Sequence, residues 1–174
     1  MAIFVKAGGD FKPAPAGAHA ATCVDVIDHG MLTVTYLGKT RTQHKITIAW
    51  QIDVAMENNK PYLIRRKYTA SLHEKSSLRR DLESWRGKPF SAAELEAFDL
   101  ESLIGVGCLL NVIHNDSLSG STYANVVGIM RLPRTMAAPQ VRDYVRVKDR
   151  PAAQTEQAID NENEYGVSDA DIPF

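Results

Sequence analysis

The residue types best able to do chemistry in this chain gather on one expected β hairpin. Lys39, Arg41 and Lys45 precede or open a strand at 44–53, "HKITIAWQID", and Lys60, Arg65, Arg66 and Lys67 surround the next, "YLIRRKYTA" at 62–70. Tyr36, Tyr62 and Tyr68 lie among them. Pairing the two strands would bring cations and phenol rings together. Unpaired nucleic acid needs that mixture, because cations track phosphates and aromatic faces stack bases at about 1–3 kcal/mol each. Neutralised phosphates release counterions, so such binding weakens with salt. The residues expected to contact nucleic acid are Lys39, Arg41, Lys45, Trp50, Arg65, Arg66, Lys67, Tyr68 and Tyr123.

Enzyme chemistry has no comparable footing. There is no Walker-type phosphate loop, and "GVGCLL" at 105–110 introduces a strand rather than a helix, so it is no dinucleotide site. His19, His29, His44, His73 and His114 have no metal-ligand spacing. Asp81 and Glu83 stand two apart on an expected helix and do not share a face. No acid cluster suited to Mg²⁺ is visible, which argues against a nuclease. Cys23 and Cys108 form no CxxC pattern and read as buried reduced thiols, suited to a reducing cytoplasm. The expectation is a binding protein without catalytic residues, metal or cofactor.

The elements that must position these residues follow from periodicity. "HAATCVDVID" at 19–28 is β-rich, Gly30 permits a break, and "MLTVTY" at 31–36 resumes the pattern. In the next strand Ile46, Ile48, Trp50 and Ile52 alternate with Lys45, Thr47, Ala49 and Gln51, a period of two. Trp50 therefore reads as core first and stacking platform second. The third strand carries a conflict of phase: with Ile64 inward, Arg66 and Tyr68 also point inward, and an unpaired buried arginine is expensive. A bulge or strong curvature would re-aim one of them. Lys45, Thr47, Arg65 and Lys67 are expected to face outward. The period then changes. Ser71 and Glu74 make a capping box, and Leu78, Leu82 and Trp85 give an amphipathic helix at about 72–86, ended by Gly87. Arg79, Arg80 and Arg86 read as its solvated face. A second box at Ser91 and Glu94 and a cap at Asp99 mark further short turns before strands at 107–114 and 121–132. Beyond Pro133 periodicity fades.

Three β segments, a helix and two more β segments give the fold expectation. It is a mainly β OB-fold, a five-stranded Greek-key barrel with a helix between strands 3 and 4. The formal charge of −1 hides an asymmetry: all 20 Lys and Arg lie in 1–150 against 15 acids, whereas 151–174 holds six acids and no base. The expected organisation is a nucleic-acid-binding domain at 1–150 and a disordered acidic tail at 151–174. The longest apolar runs are only a few residues, so neither a membrane span nor a secretion signal is expected.

The stretch "YTASLHEKSSLRRDLESWRGKPFSAAELEAFDLESLIGVGCLLNVIHN" at 68–115, with "TYANVVGI" at 122–129, resembles a small bacteriophage family of single-stranded-DNA-binding proteins. The resemblance covers roughly 40–133. It implies an OB-like fold that coats unpaired DNA during replication or recombination. The ending "DADIPF" is similar to the acidic tip of bacterial single-stranded-DNA-binding proteins. That likeness implies a tip, Asp169, Asp171, Ile172, Pro173 and Phe174, that recruits host replication and repair proteins. Ala170 stands where the pattern often has an acid, so weaker electrostatics are implied. The function expected is sequence-tolerant protection of single-stranded DNA in the host cytoplasm or nucleoid. The alternative is an OB-type adaptor or inhibitor of host repair enzymes with incidental DNA binding. Self-association as a homo-oligomer is left open.

Overall fold

The computed structural model describes residues 13–118 and 120–150. The tail and its tip, Asp169 to Phe174, lie outside the described residues.

The protein is mainly β. Its five antiparallel strands are β1 (Gly17–Tyr36), β2 (Lys39–Ala55), β3 (Pro61–Thr69), β4 (Gly107–Asp116) and β5 (Thr122–Arg131). They form one sheet in the order β3-β2-β1-β4-β5. The sheet is open: β3 and β5 are its two ends, and no ladder joins them among the described residues. The expected barrel therefore lacks hydrogen-bonded closure. A side chain spans the gap instead, where the Arg66 Nη1 atom on β3 donates to the Val126 carbonyl on β5 at 2.9 Å.

The expected break at Gly30 is a bulge within one long strand. β1 is irregular between Cys23 and Asp25 and again between Asp28 and Gly30, where Gly30 takes φ 67°. Extra residues of this kind bend a strand and increase its twist. Past the second bulge β1 pairs with β2 alone, from Met31–His44 to Tyr36–Lys39. Neither β3 nor β4 accompanies this part, so it projects as a two-stranded arm. Leu37 and Gly38 turn it with φ of 49° and 75°. Positive φ at both central positions makes the tight hairpin turn whose twist matches its strands.

The inner face carries the core. Ile46, Ile48, Trp50, Ile52, Ile64 and Tyr68 pack there with Cys23, Leu110, Val126 and Ile129. Helix α1 (Ser77–Arg86) closes this side with Leu78, Leu82 and Trp85, and the Trp50 and Trp85 rings lie 6.1 Å apart. The helix starts later than its sequence suggests. Its N-cap is Ser76, whose side chain accepts from the Arg79 amide, and the Ser76 hydroxyl donates to the Ser71 carbonyl. Ser71 thus serves the preceding turn. The second box forms as expected, opening α2 (Ala92–Glu96) with reciprocal Ser91 and Glu94 bonds, and Asp99 caps a 3-10 turn at Leu100–Leu103. Arg86 is not solvated: it pairs with Glu94 and stacks on Phe90, 4.5 Å from the ring centre. Cys23 and Cys108 are both free and buried, and burial pushes the Cys23 thiol up to about 12.

The segment 133–150, which has no periodicity, crosses the outer face as a strap. An added Cβ at Gly107 on β4 would stand 2.6 Å from the Ala138 Cβ, so only glycine admits the strap at that point. Thr22 on β1 donates to the Pro139 carbonyl at 2.6 Å. The side-chain amide of Gln51 on β2 donates to the Arg142 carbonyl at 2.6 Å and accepts from its N–H at 2.9 Å. No helix among the described residues is long and apolar enough to cross a membrane.

Candidate nucleic-acid interface

Directly opposed residues in an antiparallel ladder point to the same side of a sheet, and alternate residues share that side. On β2 the outer set is therefore Lys39, Arg41, Gln43, Lys45, Thr47, Ala49 and Gln51, because both bulges of this ladder put their extra residue on β1 and none on this span of β2. Across from it, β3 sets Lys67 opposite Thr47 and Arg65 opposite Ala49. On the arm, Tyr36 stands opposite Lys39 and Val34 opposite Arg41. One side of the β1–β2–β3 region thus collects Tyr36, Lys39, Arg41, Lys67 and Arg65, with Tyr36 joined through the β1–β2 arm rather than the β2–β3 pair.

Burial divides that set. Lys39 and Arg41 are exposed on the arm, and Tyr36 is 49% exposed beside them. Arg65 and Lys67 are half-buried. Lys45 faces the expected side but is only 8% exposed, and its ammonium donates to the Thr69 hydroxyl at 2.7 Å. Thr47 is buried under His29, whose Nε2 lies 2.7 Å from its hydroxyl. Neither Lys45 nor Thr47 is presented to solvent as the alternation suggested. Burial and the neighbouring Lys67 charge both hold the His29 imidazole below its ordinary value.

Three expected contacts belong to the core. Trp50 and Tyr68 have no exposed surface, so neither ring can receive a base. Arg66 does point inward, and no bulge in β3 re-aims it: the β2–β3 ladder is regular from Lys45–Thr69 to Gln51–Leu63. The cost of its burial is offset by Asp81 on α1, 3.1 Å away, with both side chains 7% exposed. Tyr68 donates to the same carboxylate oxygen at 2.8 Å, and the guanidinium lies 5.0 Å from the Tyr68 ring centre. Arg66, Tyr68 and Asp81 are a structural cluster joining β3, α1 and β5. Tyr123 lies on β5, half-buried opposite Asn115 and at the far end of the strand order from β3.

Sequence reasoning missed the residues that the strap adds to this face. Asp25, 1% exposed, accepts from the Tyr144 hydroxyl at 2.8 Å, from Arg146 Nε at 3.0 Å and from the Val147 amide at 2.8 Å. Arg146 also forks onto Glu101 at 2.7 and 2.8 Å, holding that carboxyl below its ordinary value. Arg150 stacks 5.2 Å from the Tyr144 ring centre. A buried-leaning aspartate in β1 was the available signal, since an acid among Thr22, Cys23, Val24 and Val26 needs donors from elsewhere. The outer side of the arm and β3 thus presents cations and the Tyr36 ring, and the strap that crosses the sheet adds Tyr144 and Arg150. Such a surface can hold phosphates and stack unpaired bases. Among the described residues no group of His, Cys, Asp and Glu could hold a metal ion.

A scan against protein-family models and a search of curated proteins both returned no match.

Proposed function

We propose that this chain binds single-stranded DNA without strong sequence preference, and that the β1–β2 arm is its principal contact. One observation carries the reading: Tyr36, Lys39 and Arg41 share one face of a ribbon that stands clear of the core, continuous with Lys67 and Arg65. Among the described residues, none of 31–44 belongs to the buried core cluster. The scaffold we infer is OB-like. Its strand order is the neighbour order of such a barrel, and α1 packs against both β3 and β5 where the closing ladder is absent. The sequence resemblance to phage single-stranded-DNA-binding proteins supports a role in phage replication, recombination or repair within the host cell. The segment Asp169–Phe174 would then recruit host enzymes, as the similar bacterial tips do.

The test is a titration of labelled oligothymidine against a duplex of equal length. Preferential binding of the single strand, weakened by salt and by Tyr36→Ala, is expected. Equal affinity for both forms, or none, overturns the reading. The strap favours a second reading, an adaptor with incidental DNA binding, because it already occupies the centre of the sheet's outer face. Capture of a host repair enzyme by a protein without oligonucleotide affinity would decide for that reading.

A further inference from the structure

A cleft of about 500 Å³, lined by no residue of the arm, opens between α1, the turn after α2 and the β4–β5 pair. Its walls are apolar, with Trp85, Phe98 and Leu103, and its rim is basic, with Arg86, Lys88 and Arg131. Lys88 and Arg131 are exposed. Arg86 spends one guanidinium nitrogen on Glu94, but its Nη1 atom is buried with no hydrogen-bond partner among the described residues. A buried donor without an acceptor is costly, and an anion that reached it would recover that cost. The cleft therefore suits a ligand that joins carboxylates to an aromatic or aliphatic group, and its volume falls in the range of small-ligand sites.

We propose that this cleft receives the chain's own segment Asp169–Phe174. The segment matches it in chemistry: two carboxylates, Asp169 and Asp171, directly precede the apolar Ile172-Pro173-Phe174. The stretch before it, 151–168, carries four more acids and no base, complementary to the rim. It also starts from the right place. Arg146, near the end of the strap, is held by Glu101, and Leu103 of the same 3-10 turn lines the cleft. Nineteen residues lead from Arg150 to Asp169, and a backbone of that length can reach up to about 60 Å, more than a cleft beside its origin requires. Phe174 enters between Trp85 and Phe98, and the aspartates meet Arg86, Lys88 and Arg131. A tip held there is withdrawn from any other partner, so a partner must compete with the cleft. The inference does not rest on DNA binding, which uses another surface.

The experiment reads the indole N–H signals of the full-length, ¹⁵N-labelled protein. There are two tryptophans, and they report separately. Trp85 lines the cleft and donates to the Gly107 carbonyl at 2.9 Å, while Trp50 is buried in the core as an internal control. Phe174→Ala is expected to move the Trp85 signal and leave Trp50 in place. A synthetic peptide of residues 165–174 added to the Phe174→Ala protein should restore the Trp85 position in a saturable way, and a scrambled peptide should not. In a Lys88→Glu/Arg131→Glu background, at two exposed positions that leave the core intact, the effect of Phe174→Ala should vanish. An unmoved Trp85 signal together with no peptide binding overturns the proposal. A shift that grows with protein concentration overturns its intrachain form and assigns the cleft to a second copy's segment.

Discussion

Replacing Lys39, Arg41 and Lys67 together by alanine tests the nucleic-acid surface by its salt dependence. These side chains reach solvent on the proposed face, and none of them packs in the core. Each phosphate contact on a single strand contributes about −0.7 to the slope of log affinity against log salt, so losing all of these contacts should flatten the slope by about 2. Between about 50 and 200 mM salt, the affinity gap between wild type and variant should then narrow by about 20-fold. Anisotropy of labelled oligothymidine across that series measures it. Tyr36→Ala should behave differently, weakening binding by about 1–3 kcal/mol at every salt concentration, because stacking releases no counterions. Lys88→Ala/Arg131→Ala removes exposed charge elsewhere and should leave the slope near that of wild type. Parallel lines for wild type and the arm variant would refute the assignment of phosphate contacts to this face.

Asp81→Ala should destabilise the fold by about 3–5 kcal/mol in denaturant titrations, because it strands a buried arginine, whereas the apolar set Arg66→Met/Tyr68→Phe/Asp81→Leu should recover most of that loss. Equal costs for both would show that the cluster's charges are not mutually dependent. Asp25→Ala frees three donors in the strap at once, so amide hydrogen exchange should accelerate across residues 142–149 while the β4–β5 ladder keeps its protection. Uniform acceleration over the whole sheet would contradict a local role. His29 is held below its ordinary value of 6.5, so the unfolded chain takes up a proton before the folded one does. Stability is therefore full above 6.5 and falls as the pH drops through the folded value, and His29→Gln should flatten that part of a pH-stability profile. An unchanged profile would remove His29 as a source of acid sensitivity.

The inner face of the sheet was legible because burial writes itself into sequence with a period of two. Ile46, Ile48, Trp50 and Ile52 all lie inside. The same rule places Arg66 and Tyr68 inside, where an arginine without a partner would be expensive. The partner that makes Arg66 tolerable, Asp81, belongs to a helix 15 positions on, and no local pattern announces it. The outward expectation failed at Lys45 and Thr47 because alternation tells which side a residue takes but not what covers that side. Here the cover is His29 and Thr69. The strap was illegible for a related reason. Its hold depends on isolated polar bonds from Thr22, Asp25 and Gln51 rather than on a repeating apolar stripe, so it leaves no period to read. The start of α1 was misread because Ser71 and Ser76 are both competent caps, and the choice between them falls to the turn that precedes the helix.

The bond pair between Gln51 and Arg142 has a consequence for how sequences related to this one can drift. Gln51 engages only the main-chain N–H and C=O at position 142, so the arginine side chain there takes no part in the grip. Any residue but proline satisfies position 142. Position 51, by contrast, needs a carboxamide at glutamine's length, since asparagine is one carbon short and glutamate lacks the donor. Variation among homologues should therefore be lopsided across this one contact, free on the strap and frozen on the strand beneath it.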